Sequence, residues 1–498
     1  MTDTQDRHQV DPKTQRRLFW GLLIFAFSLF VMFCVVPNFV DVPLRVSEET
    51  TVITEPFFPG STRLDYMAVL RQRFGPDDPH ENGFRMVVQA VGSEPMERGY
   101  GSWDQICQQL DINFHDPPTM PEYSKSRAIL EQDDSTAKYA RQYIENCAKD
   151  IWTQDQYQYM DEYINEISPV LDLLGEAVRQ KSYFVPGVNH DDNDDVLLPC
   201  KSCHDSMLQQ ILIRANRSIR DNQFEAAWHD IVSAMRLGCH LRNDLFIVAV
   251  SGGNYYGMFA FDAAERLLER FELSEEQLRQ CIEDVRQLPK KTTSVEEMAM
   301  CHHYASLGRV GFYANAPRSD LKKLKSGVPE WSHEYLGVDW NLVARIVNDY
   351  HDQKRQIYSR NLSPADMQTE IDNLEKKIKA RYTSGGIPLF LSRNARSKHI
   401  SLEFCFDFPF VAMEKFTKTA QARQQLLIFA FELEIEKRNS GRYPATLDFL
   451  RDRYTPEELT DPFTDDPYEY NPNTDGYRLF TLEGGVGIEI PKSEPRTE

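Results

Sequence analysis

The longest hydrophobic run of the chain lies close to its N-terminus. Residues Leu18–Val36, with the sequence LFWGLLIFAFSLFVMFCVV, contain no charged side chain. A helix of this length is about 28 Å long at a rise of about 1.5 Å per residue, which approaches the hydrocarbon thickness of a bilayer. The pattern predicts a transmembrane anchor over residues 18–36, preceded by a short tail over residues 1–17.

The charges on either side of this run predict its orientation. Basic side chains precede it at Arg7, Lys13, Arg16 and Arg17, and acidic side chains follow it at Asp41, Glu48, Glu49 and Glu55. Because basic flanking segments stay in the cytoplasm, we expect a cytoplasmic tail and a bulk that is exported to the periplasmic side. A cleaved signal peptide is the alternative, but the run is longer than the apolar part of such peptides, and no A-x-A-like site precedes Pro37.

Apolar positions recur with a helical period through residues 37–408. Within Asp155–Lys181 one stripe predicts a long amphipathic helix, and its members are Ile164, Ile167, Leu171, Leu174 and Val178. Two helical patterns flank "RDNQF" and predict an αα-hairpin over His204–Arg242, similar to a tetratricopeptide unit. Ser363 and Pro364 predict the start of another helix, which "SGGIP" ends. Residues 37–408 are therefore expected to form an exported α-helical bundle.

The period changes in the last part of the chain, residues 409–498. A helical pattern runs from about Phe410 to Asn439, and Gly441 is a natural C-terminal cap. Beyond it, Tyr468 and Tyr470 precede the turn "NPNTDG", and alternating apolar residues follow the turn from Tyr477 onwards. This alternation predicts a β-hairpin. The expected fold is mainly α, with a small C-terminal α+β unit.

Composition narrows the classes of partner and the chemistry of the cysteines. The formal net charge is -20 at pH 7, which argues against nucleic acid as a partner because phosphate binding requires clustered cations. Eight cysteines lie outside the apolar run, at Cys107, Cys147, Cys200, Cys203, Cys239, Cys281, Cys301 and Cys405. In an oxidising compartment they could form disulfides or stay as buried thiols, and the sequence does not choose between these states.

One short motif points to a specific chemistry. Cys200, Cys203 and His204 in "LLPCKSCHDS" have the CxxCH spacing at which a c-type haem is attached. Such a haem would also need an apolar pocket and usually a second axial ligand, for which no motif selects a residue. A strained cysteine pair, a zinc site and two ordinary buried thiols remain the alternatives.

Three weaker groups of candidate ligands occur elsewhere. The acidic stretch His190–Asp195 begins like a calcium-binding loop, but Val196 stands where that loop requires glycine. Glu297, Cys301 and His302 fall within two predicted helical turns. Four aspartates lie in the C-terminal segment, at Asp461, Asp465, Asp466 and Asp475. We assign no metal to any of them, and the sequence contains no Gly-rich phosphate loop, nucleophile elbow or HExxH motif that would predict an enzyme.

Several stretches, taken together, resemble a large family of uncharacterised bacterial proteins that have one N-terminal anchor and a helical exported region. They are "TRLDYMAVLRQRF", "HENGF", "KSYFVP", "QFEAAWHDIVSAMRLGCHL", "GRYPATLDFL" and "DGYRLFTL". The long C-terminal helix with "DPF", "PYEY" and "DGY" is also similar to the tails of type II secretion pseudopilins. In pseudopilins the anchor runs directly into that helix, whereas here residues 37–408 intervene.

These features predict a bitopic membrane protein with no catalytic residues assigned. The expected role is a scaffold or interaction protein of the cell envelope that binds protein partners, held at the membrane by its single helix. The alternative is a membrane-tethered electron carrier with a haem c on Cys200, Cys203 and His204.

Overall fold

The computed structural model is mainly helical, with a small three-stranded antiparallel sheet near the C-terminus. It divides into two compact units. Unit 1 comprises residues 1–66, 303–362 and 366–407, and unit 2 comprises residues 67–302, 363–365 and 408–498. The structure describes residues 12–490 except 59, 93–105, 109, 113–133, 154, 156, 158, 187, 190–195, 198–200, 291–292, 325–335, 361, 384–391, 406–409, 474–475 and 483–484.

The helices and strands of the described residues follow one another in this order. The helices are α1 (Pro12–Phe30), α2 (Tyr66–Phe74), α3 (Gly83–Val91), α4 (Asp134–Lys149), α5 (Met160–Ala177), α6 (Lys201–Arg220), α7 (Phe224–Arg242), α8 (Ile247–Arg270), α9 (Glu275–Arg286), α10 (Val295–Asn315), α11 (Trp340–Tyr358), α12 (Pro364–Thr383), α13 (Arg393–Cys405) and α14 (Phe410–Ser440). The strands are β1 (Val188–Asn189), β2 (Val196–Leu197), β3 (Glu469–Pro472), β4 (Tyr477–Phe480) and β5 (Gly487–Ile490).

The predicted αα-hairpin is confirmed as α6 and α7 of unit 2. Asn222 adopts a left-handed conformation, with φ 57°, in the short connection between the two helices. Arg214 of α6 forms a bidentate salt bridge with Asp230 of α7, with N···O distances of 2.8 and 2.7 Å. The apolar faces of both helices pack into one continuous core with α5, α8, α9 and α14. The hairpin therefore buries its faces against the rest of the bundle, as its sequence requires.

Helices α7 and α8 cross at very short range because small residues meet at the crossing. A Cβ atom on Gly253 would lie only 2.7 Å from the carbonyl oxygen of Gly238 and 2.9 Å from the backbone nitrogen of Arg242. No side chain larger than hydrogen fits at Gly253 without a backbone shift. The close approach fixes the end of α7 beside residues 251–254 of α8.

The C-terminal part of unit 2 confirms the predicted hairpin and adds a third strand. Strands β3, β4 and β5 form an antiparallel meander, in which Tyr470 pairs with Leu479 and Tyr477 with Ile490. Tyr477 and Leu479 are fully buried against α14, whereas Arg478 between them is exposed. This is the alternation on which the prediction was based.

Polar contacts attach the segment after the apolar run to the rest of unit 1. The guanidinium of Arg396 in α13, only 1% exposed, donates to the carbonyl oxygens of Gly337 and Asn38 at 2.8 and 2.7 Å. Val42 forms a parallel bridge with Asp339, just before α11. Residues 38–42 are thus fixed onto the body of unit 1.

The apolar run itself is helical but not uniform. α1 ends at Phe30, a π-helical turn covers Val31–Val35, and a 3₁₀ turn covers Val36–Phe39. In the part of the chain that the structure describes, no helix combines the length and the apolar character needed to cross a membrane. The transmembrane anchor stays a prediction of the sequence.

Candidate functional site

A cleft of unit 2 lies beside the α7–α8 crossing. Its volume is about 340 Å³, and it is bounded by the start of α6, the end of α7, the first half of α8 and one face of α14. Its walls combine charged, aromatic and small side chains: Asp205, Arg242, Ser251, Gly252, Asn254, Tyr255, Tyr256, Met258, Phe261, Phe416, Thr419, Ala420 and Arg423. This mixture is typical of ligand pockets, in which an apolar surface is combined with a few polar groups that orient the ligand.

Arg242 is the cation of the cleft whose charge is least compensated. It is half-buried, and its guanidinium donates to the Sγ atom of Cys239 at 2.6 Å. Among the residues that the structure describes, no acidic side chain lies within ion-pair distance of this guanidinium. A half-buried guanidinium has five N–H donors, so most of the hydrogen-bonding capacity of Arg242 remains available to a ligand.

The second cation of the cleft is already compensated. Arg423 of α14 contacts the carboxylate of Asp262 in α8 through Nη1 at 2.6 Å. The ion pair holds Arg423 in place and joins α14 to α8. Arg423 therefore contributes less positive field to the cleft than Arg242 does, because Asp262 compensates its charge.

Of the two aspartates Asp205 and Asp244, only Asp205 lines the cleft. Asp205 lies against Gly252, where an added Cβ atom would be 3.2 Å from Oδ1 of Asp205. Asp244 follows α7 directly, and its Oδ1 accepts a hydrogen bond from the backbone N–H of Phe246. Burial raises the pKa of Asp244 to about 7, although that hydrogen bond opposes the shift. Near neutral pH, Asp244 is therefore partly protonated.

Two aromatic side chains lie at the mouth of the cleft. Tyr255 is 45% exposed and Phe416 is 39% exposed. In the described part of unit 2, three large hydrophobic side chains are exposed, and the third, Leu482, lies elsewhere. Phe261 is buried and forms part of the apolar wall. Exposed aromatic groups concentrated at one concave site indicate a binding surface.

The CxxCH motif lies only partly within the described structure. Cys200 and the side chain of Cys203 lie outside the described part of the structure, and the backbone of Cys203 belongs to the first turn of α6. His204 is buried, its Nε2 atom lies 2.9 Å from the hydroxyl of Tyr183, and its ring packs against Phe84 with centroids 5.5 Å apart. To bind iron, Nε2 of His204 would have to give up the contact with Tyr183. Haem attachment stays a prediction.

The other cysteines whose side chains the structure describes are buried, and one of them, Cys239, contacts the guanidinium of Arg242. Cys147, Cys239, Cys281 and Cys301 are buried free thiols. Burial raises the pKa of the Cys147 thiol to about 12 and that of Cys301 well above its ordinary value. Thiols with raised pKa values are poor nucleophiles and poor metal ligands at neutral pH, so Cys147 and Cys301 have a packing role.

The three weaker groups of candidate ligands do not form a metal site among the described residues. Among the described residues, no set of three or more His, Cys, Asp or Glu side chains could hold a metal ion. His190–Asp195 and Asp475 lie outside those residues. Asp461 is fully buried and accepts hydrogen bonds from the backbone N–H groups of Phe463 and Leu482, which is a structural role. Glu297 caps the start of α10 by accepting from the N–H of Ser294.

Sequence reasoning missed the cleft because its residues are far apart in the chain. Asp205, Arg242, Tyr255 and Phe416 come from four different helices and carry no shared motif. The pair Gly252 and Gly253 inside a helical pattern was the one available signal, because glycine in a helix often marks a close approach of backbones.

Comparison of the chain with protein-family models, with curated proteins and with solved structures finds no match. The two resemblances noted in the sequence therefore stay predictions, and what the chain does has to be argued from its own residues.

Proposed function

We propose that the protein is a membrane-anchored interaction protein of the cell envelope, with a cytoplasmic tail and an exported helical bulk. The observation that carries the proposal is the exposure of apolar side chains all around α1. Leu18, Phe19 and Ile24 are 60%, 60% and 62% exposed, and at about 100° per residue they point to three different sides of the helix. Exposed apolar surface costs about 25 cal/mol per Å² in water, and a bilayer removes this cost.

The chain after α1 supports the same role. The backbone oxygen of Asn38 accepts hydrogen bonds from Arg396 and from the N–H of Gly337, at 2.7 Å each. The side chain of Asn38 accepts another from the backbone of Arg393. A membrane helix that continues into such contacts would hold unit 1 at a defined distance from the bilayer.

The interaction part of the role is assigned to the cleft of unit 2. An anchor confines the chain to a layer near the membrane, which raises the effective concentration of the cleft for partners in the same layer. No group of acid, base and nucleophile lines this cleft, as far as the described residues go, and binding is the function that its walls support.

The anchor is tested by fractionation of cells that express the full chain. We expect it to stay with the membrane after a wash at high pH, and residues beyond 40 to be cut by protease added from outside but not from the cytosolic side. The double variant Leu22→Arg and Phe25→Arg should abolish retention, because each arginine at a helix centre costs about 2.5–3.5 kcal/mol on insertion. Val46→Arg is the matched control outside the run. Release of the unmodified chain by the wash would refute the anchor.

An electron carrier with haem on Cys200, Cys203 and His204 is the second proposal retained from the sequence. Purified full-length protein would then show a Soret band that survives denaturation, and a peptide with both cysteines would carry the mass of haem. Absence of both signals from protein made in cells with active haem attachment would exclude it.

A further inference from the structure

We propose that the cleft between α6, α7, α8 and α14 binds a monocarboxylate that carries an aromatic or other apolar body. Arg242 would receive the carboxylate, and Tyr255 and Phe416 would cover the apolar part. Binding at the cleft requires no membrane anchor, so this proposal and the proposed function can fail separately.

The guanidinium of Arg242 favours an anionic ligand. The whole chain has a formal charge of -20, yet the cleft lining has two arginines and one aspartate. Arg423 is compensated by Asp262, while Arg242 has no acidic partner among the residues described. A planar carboxylate can accept two parallel N–H groups from one guanidinium, which is the strongest form of this contact.

The same charges disfavour a dianion. A phosphate group would bring about two negative charges at neutral pH to a site with one uncompensated cation. One guanidinium without an acidic partner therefore matches a single negative charge with a planar head.

The apolar walls select the rest of the ligand. Tyr255 and Phe416 expose ring surface at the mouth, and Met258 and Phe261 continue the apolar surface along the wall. The close α7–α8 crossing at Gly253 keeps Arg242 next to this surface, because the backbone of Arg242 touches α8 there. A ligand whose carboxylate and apolar body are directly connected would contact both.

The size of the cleft indicates how much of a ligand it can enclose. A volume of about 340 Å³ is at the lower end of the range for small-molecule pockets. It can enclose a small aromatic acid or the last residue of a polypeptide, which share the same chemistry. It is too small for a folded domain.

Calorimetric titration of the full chain in detergent micelles tests this proposal with five defined probes. They are 3-phenylpropionate, its uncharged primary amide, phenyl phosphate, a hexapeptide that ends in phenylalanine with a free carboxylate, and the same peptide with an amidated end. We expect the two carboxylates to bind at least tenfold more tightly than their amides and than phenyl phosphate. If the free-ended peptide binds tenfold more tightly than 3-phenylpropionate, the carboxylate that the cleft binds is the end of a polypeptide. The reverse order indicates that the ligand is a small acid. Equal binding of acids and amides, preference for phenyl phosphate, or no binding at millimolar concentration would overturn the proposal.

Two variants and two matched controls locate the binding. Arg242→Gln should weaken binding of 3-phenylpropionate at least tenfold and remove the difference between acid and amide. Its control is Arg451→Gln, because Arg451 is an exposed arginine beside another groove of unit 2. Phe416→Ala should weaken acid and amide equally, and Leu482→Ala, an exposed apolar residue outside the cleft, should change neither. Circular dichroism of each variant checks folding, and unchanged binding in a folded Arg242→Gln or Phe416→Ala protein would contradict the assignment.

Discussion

The interiors of the two units differ in the ionisable side chains that they bury. Unit 2 buries acidic ones such as Asp230 and Asp461 beside its apolar core, and the described part of unit 1 buries basic ones. Unit 2 has a continuous apolar core, in which Leu426, Phe429 and Phe431 of α14 are fully buried. Unit 1 encloses several ionisable side chains, among them His303, Lys354 and Arg396, each at most 2% exposed. The stability of unit 2 should therefore depend mainly on packing, and that of unit 1 also on keeping its buried basic groups satisfied.

The polar interior of unit 1 is organised around two stacked histidines. The rings of His303 and His351 lie 4.7 Å apart at an angle of 14°, and Nε2 of His303 donates to Oδ1 of Asn348 at 2.8 Å. Asn348 in turn donates to the carbonyl oxygens of Glu49 and Thr50. The segment that follows the apolar run is thus linked to α11 by the side chains that surround the histidines.

The largest expected effect tests the apolar core. Phe431→Ala removes a fully buried ring that meets Trp228 edge to face at 5.6 Å. We expect a loss of about 4 kcal/mol in the free energy of unfolding of unit 2, because such truncations leave a cavity. Hydrogen exchange of peptides from each unit measures it, with Leu482→Ala as an exposed control. Equal loss of protection in unit 1 would show that the two interiors are not independent.

A somewhat smaller loss is expected when the buried cation of unit 1 is removed. Arg396→Met removes the donor of the carbonyl oxygen of Gly337 and one of the two donors of the carbonyl oxygen of Asn38, which keeps the N–H of Gly337. We expect unit 1 to lose about 3 kcal/mol, since the buried carbonyl oxygen of Gly337 is left unsatisfied and the packing of the Arg396 side chain is disturbed. Arg360→Met is the control, because Arg360 is exposed and pairs loosely with Glu370. Hydrogen exchange measures the loss. If the amides of unit 1 in the Arg396→Met protein exchange as slowly as those of the unmodified chain, packing alone holds unit 1.

The dependence on pH should differ in sign between the units. Burial lowers the pKa of His303 from 6.5 to about 4. Between these two pH values the unfolded chain therefore binds more protons than the folded one. Unit 1 should lose about 2 kcal/mol between pH 7 and pH 5 through this group, and His303→Gln should remove the loss. Hydrogen exchange at the two pH values, corrected for the intrinsic rates, provides the measurement.

Unit 2 provides the opposite case for the same experiment. Burial raises the pKa of Asp244 to about 7, so between about pH 4 and pH 7 the folded state binds the proton more tightly than the unfolded state does. The contribution of Asp244 to stability is therefore present at low pH and is lost as the pH rises to 7. Asp244→Asn should flatten that slope, and identical slopes in both units would contradict the contrast.

The smallest effect concerns a local contact rather than an interior. Ser274 and Gln277 form reciprocal hydrogen bonds at the start of α9. Ser274→Ala should cost unit 2 about 1 kcal/mol, because two backbone N–H groups lose or weaken their partners. Glu276→Ala in the same turn should cost only about 0.3 kcal/mol. Hydrogen exchange of the amides of α9 would distinguish the Ser274→Ala variant from the Glu276→Ala variant.

The sequence predicted local elements well because their signals are local. The α6–α7 hairpin, the helix that begins at Pro364 and the β3–β4 hairpin follow from spacing and turn residues alone. Strand β5 was missed because "GIEI" is too short a pattern to stand out. The cleft and the buried histidines were missed for a different reason. His303 and Asn348, or Arg242 and Phe416, meet only through tertiary packing, which no window along the chain contains.

The contact of Asn38 with Arg396 also has a mechanical consequence. Asn38 is two residues beyond Val36, so no slack chain separates the apolar helix from the body of unit 1. A pulling force applied to the helix would load the hydrogen bonds of Asn38 directly instead of stretching a tether. If the apolar run spans a membrane, as proposed, the tilt of unit 1 would follow the tilt of the helix.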